Sequence, residues 1–128
     1  MQPVHELNWY GGWLLVLAAF LTGIFLGLFF YREDFWGGYS GFSRRIFRLG
    51  HIALAALGMM NVLFSFSAWP APETFAGFVA SWSFLVGGIS MPGICFLTSW
   101  KPALRHLFFI PVTALITAVI WTLAGAPW

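Results

Sequence analysis

Residues 9–31 contain no Asp, Glu, Lys or Arg. At ~1.5 Å per residue in a helix, such a run reaches roughly 34 Å, enough to cross the hydrocarbon core of a bilayer. Three more apolar runs follow: residues 46–69, stopped by Pro70 and Pro72; residues 75–98; and residues 102–126. Only 8% of the 128 residues are charged and 60% are apolar. A water-soluble domain is about a quarter charged, so this chain could not dress itself for water. The expectation is one integral membrane domain over residues 1–128, an all-α, four-helix transmembrane bundle in up-down-up-down order, with lipid as its solvent.

The charges agree with that division. Arg32, Arg44, Arg45 and Arg48 flank the first loop, and Lys101 and Arg105 flank the third. No basic residue lies beside the N-terminus, the second loop or the C-terminus. The positive-inside rule therefore predicts cytoplasmic loops at 32–43 and 99–101, with both termini on the outer side. Trp9, Trp13, Trp69, Trp121 and Trp128 should mark the outer interface, and Trp36 and Trp100 the inner one. The basic residues are thus explained by topology, and nucleic acid is set aside as a partner. No basic n-region precedes the first run and no small-residue cleavage site follows it, so it reads as a retained span.

The loops are short. Residues 70–74 make a Pro-rich turn, and residues 99–102 another, with Ser99 expected to cap the fourth helix. The first loop, rich in glycine and aromatic residues, should lie at the headgroup level. Gly23 and Gly27 form a GxxxG on the first span, and glycine and serine crowd the third; both permit close helix approach, within the chain or to other membrane subunits or a homo-oligomer. Asn61, mid-span, needs a hydrogen-bond partner on another helix. Pro92 and Pro111 should loosen their spans, and such a kink can open space for a cofactor or a quinone.

Mid-bilayer Asp, Glu, Lys or Arg is the usual mark of ion pathways, and the mid-bilayer stretches hold none, which leaves the histidines as the titratable side chains to weigh, tyrosine and Cys95 aside. The sequence also lacks a nucleophile–base pair, a phosphate loop and a zinc-site spacing, so no enzyme signature is found. His51 and His106 stand out, each near the predicted cytoplasmic start of its helix. From His51 the helical stripe continues as Ala55, Gly58 and Ser65, small residues that would leave space beside the ring; from His106 it continues as Ile110, Thr113 and Thr117. Two imidazoles at one depth could be axial ligands of a single haem b, with Arg48, Lys101 and Arg105 beside the propionates. This arrangement resembles the four-helix core of cytochrome b proteins, whose haem ligands lie on the second and fourth helices. The resemblance covers the helix count and one histidine on each of those spans, His51 and His106. It implies a small electron-transfer subunit of a membrane redox complex. That family carries two ligand pairs at different depths, and a second pair is absent here. Two other readings stand beside it. One is a cofactor-free accessory or assembly subunit. The other is a Cu(I) site built from Met91 and Cys95, one turn apart on the third span, together with His51.

Overall fold

The computed structural model describes residues 3–127. The element order is α1 (Glu6–Phe29), a short 3-10 turn (Phe35–Gly37), α2 (Phe42–Ser65), α3 (Phe75–Trp100), a 3-10 segment (Pro102–Phe108) and α4 (Phe109–Ala124). No strand occurs among the described residues. Four helical stretches are long and apolar enough to cross a membrane, the last being the 3-10 segment together with α4. Trp128 lies outside the described residues.

The spans shift from their expected bounds for identifiable reasons. α2 starts a turn earlier than residue 46 because Arg44, although charged, is 2% exposed and serves the fold. Its guanidinium donates to the carbonyls of Arg32 (2.9 Å), Phe35 (3.4 Å) and Phe30, and lies 4.7 Å from the centre of the Phe30 ring. The last carbonyls of any helix have no amide partner of their own. Arg44 reaches back from α2 to fill that need at Phe30, the C-cap residue of α1, and ties the Arg32 and Phe35 carbonyls of the loop to the same guanidinium. The first loop consequently folds in: Phe35 and Trp36 join Phe25, Phe30 and Phe47 in an aromatic cluster. Trp36 has φ 52°, an uncommon conformation for a residue with a Cβ, and Gly37 and Gly38 continue it at φ 80° and 84°.

α3 runs on through Ser99 and Trp100, so Ser99 does not cap the following helix; its hydroxyl donates to the carbonyl of Phe96 inside α3 (2.6 Å). Thr74 is the side chain that caps, accepting from the Gly77 amide at 3.0 Å at the start of α3. Pro92 sits buried inside α3, which stays one element. Pro111 acts differently. It falls in the first turn of α4, where amides are unpaired anyway, and the preceding residues 102–108 wind as 3-10.

The helices do not form a closed ring of equals. α3 packs extensively on both α2 and α4 and touches α1, while α1 packs along α2. α2 and α4 are neighbours of α3 rather than of each other, sharing one cluster of Phe64, Ala80, Phe84 and Ala118. Along α1 and α2 the matched pairs run in opposite order: Asn8 with Asn61, Gly12 with Gly58, Thr22 with His51. A side chain on Gly12 would stand 2.7 Å from the Gly58 carbonyl oxygen, and one on Gly58 would stand 2.9 Å from the Gly12 carbonyl oxygen. These two glycines let backbone touch backbone.

Candidate functional site

The polar groups of the interior fall into two sets. The first links three helices at the end where α1 begins. Asn8 donates to Asn61 Oδ1 (2.8 Å) and to the carbonyl of Ser81 (3.1 Å), the Ser81 hydroxyl donates to Asn8 Oδ1, and Asn61 donates to the carbonyls of Leu57 (2.9 Å) and Phe84 (3.2 Å). Asn61 thus has the cross-helix partner its position demanded. Asn8 was hidden from sequence reading because it precedes the uninterrupted apolar run. With both side chains fully buried and their hydrogen bonds turned on one another and on backbone, this set is a clasp.

His5 belongs to the same end. It is 5% exposed, stacks on Phe64 with centroids 4.4 Å apart, and donates from Nε2 to the carbonyl of Pro70 (3.0 Å). A carbonyl can only accept, so the ring proton is on Nε2. Burial lowers the pKa of His5 below its ordinary value, partly offset by that hydrogen bond and by the nearby Glu73 carboxylate. The residue that sequence reading left outside the first span is part of the fold.

The second set is at the opposite end and contains the predicted site residues. His51 is half-buried and turned toward α1, with Nδ1 2.9 Å from Thr22 Oγ1. His106 lies in the 3-10 segment and is exposed. α3 intervenes between the helices that carry them, and the structure does not bring the two rings together. The helical stripe drawn from His106 fails for a mechanical reason. A 3-10 segment turns 120° per residue rather than 100°, so faces counted through it are rotated. Thr113 is exposed, and the buried face of α4 is Pro111 and Ala118. The small stripe from His51 is real, and α1 fills most of it. Gly58 lies under Gly12 and Val16 of α1, and Ala55 packs against the cluster of Leu15, Ala19 and Leu54.

The expected propionate partners are likewise dispersed. Arg48 donates to the Tyr39 carbonyl (3.2 Å) and covers the Tyr39 ring at 4.5 Å. Lys101 is exposed, its ammonium 5.7 Å from the Trp100 ring, and Arg105 is exposed and donates to the Pro102 carbonyl at 3.4 Å. Cys95 is fully buried against Gly50, whose added Cβ would stand 2.9 Å from the Cys95 Cβ. Gly50 faces α3 while its neighbour His51 faces α1, so Met91 and Cys95 are not assembled with an imidazole. Among the described residues no group of three or more His, Cys, Asp or Glu side chains could hold a metal ion.

What remains chemically open is the imidazole of His51. Beside it runs an open groove of about 490 Å³ lined by Val16, Ala19, Phe20, Gly23, Ile24 and Ala55. Fold and site together define a multi-pass helical membrane protein, with a structural polar clasp at one end and a single histidine facing an apolar groove toward the other. Comparison with protein-family models, with curated proteins and with solved structures finds no match.

Proposed function

We propose that this chain is a structural or assembly subunit of a larger membrane complex. It would cross the bilayer in up-down-up-down order, with both termini outside and loops 32–43 and 99–101 in the cytoplasm. The opposite-order pairing of neighbouring helices and the clustering of basic residues beside those two loops support the orientation. One observation carries the subunit reading. A side chain placed on Gly27 of α1 or on Gly93 of α3 would meet nothing within 4 Å. Other glycines on these helices, Gly12 and Gly87, are spent on close contact inside the chain. Gly27 and Gly93 offer the same close approach to a helix from outside.

The test uses the full chain with its native membrane partners. Mild-detergent extraction should yield it together with another chain or as an oligomer, and Gly27→Leu or Gly93→Leu should weaken that association. A solitary monomer with no copurifying chain overturns the reading. A haem b would need His51 plus a ligand from a second copy or another chain. Its mark is a Soret band lost in His51→Ala and kept in His106→Ala.

A further inference from the structure

The Thr22 hydroxyl lies 2.9 Å from His51 Nδ1, and 3.0 and 3.1 Å from the carbonyls of Ala18 and Ala19. It has one proton. If that proton goes to Nδ1, one hydrogen bond forms and the remaining ring N–H, on Nε2, is left bare. If it goes to a carbonyl, the threonine oxygen accepts from Nδ1–H and two bonds form. At membrane depth there is no water to make up the difference, so the second arrangement prevails. The tautomer is then fixed, and Nε2 is a lone pair with no hydrogen-bond partner among the described residues.

The absent side chain of Gly23 makes room for the ring, since a Cβ there would stand 3.3 Å from Cε1. Phe20, Ile24, Val16 and Ala55 give the groove apolar walls, and no ionised side chain lines it. An occupant suited to these walls is neutral and mostly apolar, and presents an O–H donor that reaches below the headgroups. Acyl chains carry no donor. A haem fits less well, because no second ligand lines the groove and Arg48 is engaged with Tyr39. We propose that this groove binds the ring of a lipid-soluble quinol, whose hydroxyl donates to Nε2 of His51. Thr22 is the positioning residue that holds the acceptor tautomer. The inference does not depend on the subunit reading, because it concerns the isolated chain.

The full-length protein, with 15N-labelled histidine and in nanodiscs, is titrated with a short-tailed quinol kept reduced. His51 should show an unprotonated Nε2 whose resonance moves saturably, while the signals of His5 and His106 stay put. The oxidised quinone, lacking the hydroxyl, should leave Nε2 unmoved. Thr22→Val should release the tautomer and weaken the quinol response about fivefold, the size expected for one neutral hydrogen bond. A proton found on Nε2, no saturable shift, or an equal shift with quinone each overturn the proposal. So does a haem Soret band requiring His51 in a protein that ignores quinol, which would give the nitrogen to a metal.

Discussion

The contact of α1 with α2 and the contact of α3 with α4 are both long and apolar, yet they are built differently. Between α1 and α2 the backbones meet at Gly12 and Gly58, and the seam is crossed by Asn8–Asn61 and Thr22–His51 hydrogen bonds. The amides of Val4 and His5 also donate to the carbonyl of Ser65, at 2.8 and 3.1 Å. Between α3 and α4 no hydrogen bond is made among the described residues. The contact rests on packing: Leu115 over Gly87, Trp121 edge-on to Phe75, and Ala118 in the Phe84 cluster. In lipid, apolar surface gains little from leaving hydrocarbon for a neighbouring helix, so close packing and hydrogen bonds set how firmly helices hold. α1, α2 and α3 form the locked unit. α4 is joined to that unit by packing alone among the described residues.

The sharpest way to break this contrast is a matched pair of substitutions. Gly58→Ala drives a methyl against the Gly12 carbonyl and the Val16 amide nitrogen, both backbone, and should cost roughly 3 kcal/mol. Gly87→Ala meets Cγ and Cδ2 of Leu115 at 2.5 Å, side-chain atoms that a change of rotamer can move while the backbone stays, and should cost about 1 to 2 kcal/mol. Reversible unfolding in mixed micelles measures both; equal losses would erase the distinction between the seams.

Next in size is Arg44→Met, which keeps the apolar stem of the side chain and removes the guanidinium that donates to the carbonyls of Phe30, Arg32 and Phe35, the last two of which retain a backbone donor. A loss of about 2 to 3 kcal/mol is expected, with faster hydrogen exchange confined to the end of α1 and the first loop. An intact exchange pattern would mean that the aromatic cluster alone holds the loop.

The clasp itself should yield a coupling of ~1 kcal/mol in a double-mutant cycle of Asn8→Leu with Asn61→Leu. Additive losses would show two independent asparagines rather than a joint one. The smallest effect is read against pH. The folded pKa of His5 is lowered, so the fold favours the neutral ring, and its contribution is fully present above the unfolded value of 6.5. As pH falls through that value toward the folded pKa, the unfolded chain binds a proton that the folded one refuses, and stability drops. Wild type should therefore lose stability between about pH 7 and about pH 5, and a His5→Gln variant should lose less over the same window. Parallel profiles would remove His5 from the account.

Much of the site was visible in the residues and much was not. Asn61 announced its need of a partner by being polar amid apolar neighbours, and His51 announced an unusual position. Asn8 and His5 gave no such signal, because the sequence places them where water would ordinarily serve. The pairing of His51 with His106 rested on helix faces counted through residues 102–108, which wind as 3-10, so the count slips. The space expected beside His51 was there in part, but α1 took most of it.

Hydropathy determined the number of helices and where each lies along the chain, because a long apolar segment in a bilayer satisfies its backbone by closing its hydrogen bonds within a helix. It could not determine which helix lies beside which, since lipid and a neighbouring helix look alike to an apolar side chain. That choice fell to the tertiary structure, through the few places where backbones touch and polar atoms meet. It set His51 against Thr22 and left His106 on the outside.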